Sequence, residues 1–237
     1  MATAPADDAT DADRRVIDLV GLRLPLRASV AIAVVTVAIL LDHSRTFIPT
    51  AVVELGRTPE AMWVTAIERV ILFGLAPLLV VLLAFRDRPT RYGLAVGDWR
   101  TGLPLMLIGC ALMTPLVVWF AGLPGVGDYY APSAGPLPGL VLTNAVDLTA
   151  AEFLFRGFLT LTLVRAIGPF GVLVATLPFI FAHIGKPELE LFSTLAGGPI
   201  YGWLAWRTRS IVWGTVGHVY ILCLVTVAAA GAGAGAS

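Results

Sequence analysis

An all-α fold, a polytopic membrane bundle of about seven helices, follows from three observations. Of 237 residues, 57% are hydrophobic and only 14% charged, where a soluble domain carries about a quarter charged. The mean hydropathy is +0.85, so lipid, not water, is the solvent for most of the chain. Apolar stretches near the roughly twenty residues needed to cross the hydrocarbon core recur along the sequence, and connections bearing arginine separate them.

The first 25 residues are polar and rich in Asp. They lack the apolar run behind a basic start that marks a cleavable signal, and they read as a cytoplasmic tail, disordered over 1–20. The spans are expected at about 26–41, 63–85, 103–120, 138–164, 168–185, 189–206 and 211–231. Together they form a transmembrane domain over 26–231, with the polar residues concentrated in a core at about 138–231. The connection 121–137 holds Gly122, Pro124, Gly125, Gly127, Pro132, Gly135 and Pro136 and reads as turn-rich and exposed. In the sixth span, Gly198 and Gly202 have the four-residue spacing that lets a neighbouring helix approach closely, and Pro199 predicts a kink. The Gly/Ala/Ser run from Gly231 to Ser237 has no folding content, and 232–237 reads as a disordered tail.

Arginine placement sets the orientation. Arg14, Arg15, Arg23, Arg27, then Arg86, Arg88, Arg91, Arg100, then Arg165, then Arg207 and Arg209 fall in segments that alternate onto one side. The opposite segments hold only Arg45, Arg57 and Lys186. The positive-inside rule puts the N-terminus in the cytoplasm. Fifteen arginines against the single Lys186, with abundant Ala and Gly, point to a bacterial inner membrane. The net charge of zero suggests no nucleic-acid partner. Cys110 and Cys223 lie inside apolar stretches and read as small buried hydrophobes. Membrane lipid and a membrane-associated peptide or protein are the expected partners; the oligomeric state is not fixed by the sequence.

Each charge inside a span is costly and needs a reason. Glu152 and Arg156 are four apart on the fourth span and can pair. Counting from the arginine-rich ends, Glu152 stands roughly 20 Å deep, His183 roughly 22 Å and His218 roughly 14 Å. Three helices thus bring one carboxylate and two imidazoles to similar depth. A carboxylate in a low-dielectric site is a usable base, and an imidazole can share its water or bind a developing oxyanion. The same Glu152, His183 and His218 could instead hold zinc with an open position for water, and the sequence leaves metal-dependent and metal-free hydrolysis both open. Neither an HExxH zinc signature nor a G-x-S-x-G elbow is present.

Ala151-Glu152-Phe153-Leu154-Phe155-Arg156-Gly157, Phe179-Ile180-Phe181-Ala182-His183 and Gly214-x-x-x-His218 together resemble the motifs of the CAAX-protease and bacteriocin-processing (CPBP) family of intramembrane proteases, over about residues 90–225. The resemblance implies an intramembrane endopeptidase acting through Glu152, Arg156, His183 and His218, with Phe179 supporting the site. Two positions depart from the family pattern. Ala151 stands where a first glutamate is usual, and Leu222 where an Asn is usual. The segment His183-x-Gly185-Lys186-Pro187-x-x-Glu190 looks like a variant branch in which Lys186 or Glu190 compensates. Because residues 151 and 152 differ by about 100° around a helix, Glu152 cannot simply take the usual glutamate's place. The departures leave two alternatives: a catalytically inactive member acting as a membrane scaffold or partner-binding subunit, and a small transporter or proton relay.

Overall fold

The computed structural model describes residues 9–234. Its chain opens with a hairpin of β1 (Val16–Leu19) and β2 (Leu22–Pro25), then runs through seven long helices: α1 (Leu26–Ser44), α2 (Pro59–Ala84), α3 (Trp99–Ala121), α4, α5 (Phe170–Phe181), α6 (Glu188–Thr208) and α7 (Val212–Ala234). Helix α4 is built of Leu137–Glu152, a π-helical stretch Phe153–Thr160, and Leu161–Ile167. Each long helix coincides with an expected span, and the chain is an integral membrane helix bundle. Helices α1, α2, α3 and α7 are each long and apolar enough to cross a bilayer. Helix α4 carries Glu152 and Arg156, and α7 carries His218.

Helix α4 is the axis of the bundle. All eight residues of Phe153–Thr160 are buried, Arg156 and Thr160 among them. Helices α1, α5 and α6 pack on this stretch, while α2 and α7 flank its first half. By contrast α3 buries only Gly102, Val117 and Ala121 and turns Leu107, Ile108, Leu112 and Leu116 outward, a lipid-facing surface. The small-residue pair on α6 does what its spacing predicts. A Cβ on Gly198 would lie 2.5 Å from Thr176 Cγ2, and one on Gly202 3.0 Å from Val172 Cγ1, so both glycines admit α5 closely.

The N-terminal segment is not the disordered tail expected over 1–20. Residues 1–8 lie outside the described residues, but the rest of the segment is folded, because Asp13 is buried among cations. Its Oδ1 is 2.9 Å from Arg27 Nη1 and 3.4 Å from Arg165 Nε, and its Oδ2 is 3.0 Å from Arg91 Nη2. Asp87 binds Arg27 as well, at 2.8 Å. The ring system of Phe85, Tyr92 and Phe158 stacks beneath, with Arg27 over Phe85 and Arg165 over Tyr92. This latch ties the hairpin to the starts or ends of α1, α2 and α4. Burial would raise the Asp13 pKa, but bonds from the Thr10 backbone and hydroxyl and from Arg91 and Arg27 hold the carboxyl well below the usual range. At the other end, α7 continues past Gly231 to Ala234, since Gly and Ala can prolong a helix already packed; residues 235–237 lie outside the described residues. The connection 121–137 also departs from expectation. It folds into Val126–Tyr130 and Ala131–Ser133 helical turns, and buried Val126 and Tyr130 join Val225 and Ala229 of α7 in an apolar cluster. The apolar positions outweigh the turn-forming ones.

Two outcomes test this architecture. Asp13→Asn leaves Arg165 without a carboxylate and Arg27 and Arg91 with Asp87 alone, and should cost about 3–5 kcal/mol of stability, read as a lowered Tm in detergent. Because the folded Asp13 pKa is depressed, its contribution is full above the ordinary value of 3.8 and is lost as pH falls toward the folded value. Hydrogen exchange over residues 13–25 should therefore be unchanged between neutral pH and about pH 5 and quicken, after correction for intrinsic rates, only below that. Gly198→Leu should drive a side chain into Thr176 and destabilise the bundle by about 1–3 kcal/mol, measured by thermal unfolding in the same detergent.

Candidate active site

The site forms where α4, α5, α6 and α7 converge. Glu152 ends the α-helical part of α4 and is 1% exposed. From the next residue the helix widens into the π form, and the Leu161 N–H donates to the carbonyl of Arg156, five residues back. A π-stretch changes the angular placement of all that follows and is commonly found at functional sites.

His218 of α7 lies beside this carboxylate. Its Nδ1 is 2.9 Å from Glu152 Oε1, the geometry of an imidazole N–H donating to a carboxylate. The approach is possible because Gly214, one turn earlier on the same face of α7, has no side chain. A Cβ there would stand 3.3 Å from Glu152 Oε2 and 3.2 Å from Tyr201 Cδ1. The Gly-x-x-x-His spacing in the sequence thus has a physical meaning: the glycine makes room for the acid that the histidine binds.

Arg156 faces the other oxygen, with Nε 3.4 Å from Glu152 Oε2. Its guanidinium lies over the Phe179 ring, 3.7 Å from the centroid, and 5.5 Å from that of Tyr201. Cation–π contact offsets part of the cost of burying this charge. Glu152 Oε2 and both terminal nitrogens of Arg156 are buried without a protein hydrogen-bond partner. A buried polar group is normally satisfied, so these three atoms are the ones free to engage a reacting molecule.

His183 follows the end of α5 and is buried. Its Nδ1 is 2.8 Å from the carbonyl oxygen of Phe179. A carbonyl only accepts, so Nδ1 carries the proton and the neutral ring presents the Nε2 lone pair. The Phe179 ring contacts both histidines, its centroid 4.3 Å from that of His183 and 6.5 Å from that of His218. The structure therefore joins Glu152, Arg156 and His218 directly and links His183 to them through contact with Phe179.

Other residues singled out by sequence lie apart. Lys186 Nζ is 2.7 Å from Glu190 Oε1, and the Tyr130 hydroxyl donates to Glu190 Oε2. Both oxygens of Glu190 are thus occupied in a clamp between the 121–137 connection and the start of α6, and compensation for the missing glutamate by Lys186 or Glu190 finds no support in this arrangement. Asp147, a further buried acid of α4, is not part of the site either. It shares Arg69 with Asp42, at 3.1 Å and 2.7 Å. Ala151 packs against the apolar core beside α4. Leu222 lines a separate cavity of about 100 Å³ with Arg57, Asn144 and Thr226. Tyr201 was not among the sequence candidates. An aromatic near the middle of an apolar helix carries no distinguishing pattern, and only the packing of α6 against α7 puts its ring 5.5 Å from that of His218.

The zinc reading of Glu152, His183 and His218 does not fit. Among the described residues no three His, Cys, Asp or Glu side chains are placed to hold a metal ion. Glu152 is already shared between an imidazole and a guanidinium, and a second cation beside Arg156 would be repelled.

Comparison with known proteins bears on the same segment. Residues 133–223 match the family model described as type II CAAX prenyl endopeptidase Rce1-like, while no curated protein and no solved structure matches the chain. That match spans every residue of the Glu152 site, and it is a likeness to the CAAX-type family that the motifs of this segment resemble.

Proposed function

We propose that this chain is an intramembrane endopeptidase in which the Glu152–His218 pair activates the water that hydrolyses a peptide bond of a membrane-associated substrate. The observation that carries the reading is the 2.9 Å contact between buried Glu152 and half-buried His218 on separate helices, beside an arginine whose terminal nitrogens have no hydrogen-bond partner. A structural ion pair alone needs no histidine, and the second oxygen of Glu152 is buried without a hydrogen-bond partner.

The roles follow from donor and acceptor arithmetic. Glu152 accepts the Nδ1 proton of His218, which leaves Nε2 of His218 as a lone pair. The pair as a unit takes a proton from water, Glu152 balancing the charge of the imidazolium. The hydroxide oxygen bonds to the scissile carbon, and the electron pair of the C=O moves to oxygen. His183, with its lone pair also at Nε2, orients the water by accepting from it. It has no proton there to offer an oxyanion, and neither does neutral His218. Arg156 is then the donor for the oxyanion. As the C–N bond breaks, the proton held by the pair passes to the leaving nitrogen. Tyr201 and Phe179 hold the guanidinium in place. The substrate class is a peptide reached from within the membrane.

The decisive experiment is cleavage of a membrane-tethered, internally quenched peptide by the purified protein in liposomes. Glu152→Gln and His218→Ala should each lower the rate by about 10²–10⁴-fold, and Arg156→Lys by about 10²–10³-fold with little effect on KM. His183→Ala should also abolish cleavage. Full activity in Glu152→Gln or His218→Ala removes the reading. A wild-type protein without activity, bound stoichiometrically to a partner, would favour the scaffold reading that Ala151 and Leu222 motivate.

Folding is controlled separately. Glu152→Gln leaves the Arg156 charge unpaired and should cost about 3–5 kcal/mol, while the double variant Glu152→Gln, Arg156→Gln should recover part of that loss in a double-mutant cycle of thermal stabilities. Simple additivity would mean that the two side chains do not interact.

A further inference from the structure

The hairpin ahead of α1 has a surface that water does not explain. Its register pairs Val16 with Pro25, Ile17 with Leu24, Asp18 with Arg23 and Leu19 with Leu22. Cross-strand partners share a face of the ribbon, so Ile17, Leu19, Leu22 and Leu24 form one apolar face, and Asp18 and Arg23 belong to the other. Leu19 and Leu22 are 57% and 62% exposed, and Val20 at the tip is 98% exposed. The two turn residues Val20 and Gly21 both have positive φ, 53° and 84°. Such a turn favours Asn or Asp before Gly, and a β-branched residue is strained there. A fully exposed, apolar and strained residue is the opposite of what a soluble turn would hold. Arg14, Arg15 and Arg23 are exposed around the ribbon, with Asp11 and Asp18 the nearby exposed acids. Pro25 leads straight into the membrane helix α1, so the ribbon stands at the bilayer surface. The Asp13 latch fixes it there.

We infer that the β1–β2 hairpin is a membrane-inserting paddle, dipping Leu19, Val20 and Leu22 into the adjoining leaflet while Arg14, Arg15 and Arg23 bind the phosphates of anionic phospholipids. Apolar residues beside basic ones are the composition of interfacial lipid anchors, and each basic residue near an anionic surface adds electrostatic attraction. The occupant is the lipid of the same membrane. No part of the inference depends on peptidase activity.

The test uses the full chain with Cys110→Ala and Cys223→Ala, a Leu22→Cys substitution carrying an environment-sensitive nitrobenzoxadiazole dye, and nanodiscs of phosphatidylcholine with or without one part in four phosphatidylglycerol. In the anionic discs the dye should emit to the blue of its aqueous wavelength, be quenched by lipids spin-labelled near the headgroup, and be shielded from aqueous iodide. The blue shift should be smaller in neutral discs and be lost in the variant Arg14→Glu, Arg15→Glu, Arg23→Glu. Val20→Asn, which suits the turn, should keep or raise the Tm in detergent while reducing lipid quenching, so a loss of signal cannot be ascribed to unfolding. Aqueous emission with full iodide quenching in anionic discs would overturn the inference. So would identical signals in both lipid mixtures that persist in the glutamate variant, or insertion undiminished by Val20→Asn.

Discussion

A charge in a low-dielectric interior has no water to stabilise it, and each buried charge in this bundle has to find its counterpart on another helix or one turn away. That constraint organises the molecule at three levels. On one side, Asp13 and Asp87 gather Arg27, Arg91 and Arg165. Toward the other side, Arg69 bridges Asp42 and Asp147. Between them, Glu152 is held by Arg156 and His218. The first two networks spend their carboxylates on bidentate or multiple ion pairs, while in the third one carboxylate oxygen and two guanidinium nitrogens stay without hydrogen-bond partners. Arg165 of the first network also keeps unpartnered nitrogens, so it is the carboxylate oxygen that sets the third network apart from the other two.

The helix that carries Glu152 is the one most enclosed by its neighbours. This allows the site to be dry and rigid, as a preorganised electrostatic site must be. The enclosure also explains the glycines. Gly214 clears the approach of α7 to the carboxylate, and Gly198 and Gly202 bring α6 onto α5, so that Tyr201 reaches the guanidinium. The π-stretch after Glu152 adds a turn of altered pitch at the point where the usual pattern of adjacent glutamates is broken by Ala151. A regular α-helix would fix the angular relation of Glu152 to everything downstream; the π form alters it.

The family model matches the segment with the site, not the hairpin, α1, α2 or α3. Those elements act through packing. The latch joins the hairpin to α1, to the segment after α2 and to the end of α4, the helix that holds Glu152. The proposals for the hairpin and for the Glu152 site rest on different observations and can fail independently.

Composition and apolar period determined the seven helices, because a bilayer admits few other ways to satisfy a backbone. They also determined the sidedness of the arginines, which the latch and the Asp98–Arg207 pair gather on one face. The depth count brought Glu152 and His218 together, since helix rise is fixed. It could not tell that His183 would be linked to them through Phe179, that Asp147 would go to Arg69, or that Glu190 would be taken by Lys186 and Tyr130. Those are choices among partners at equal depth, settled by helix rotation and packing, to which one-dimensional spacing is blind. The folded N-terminal segment was equally hidden. An Asp-rich stretch reads as solvated until tertiary structure brings three arginines from distant positions around a single carboxylate.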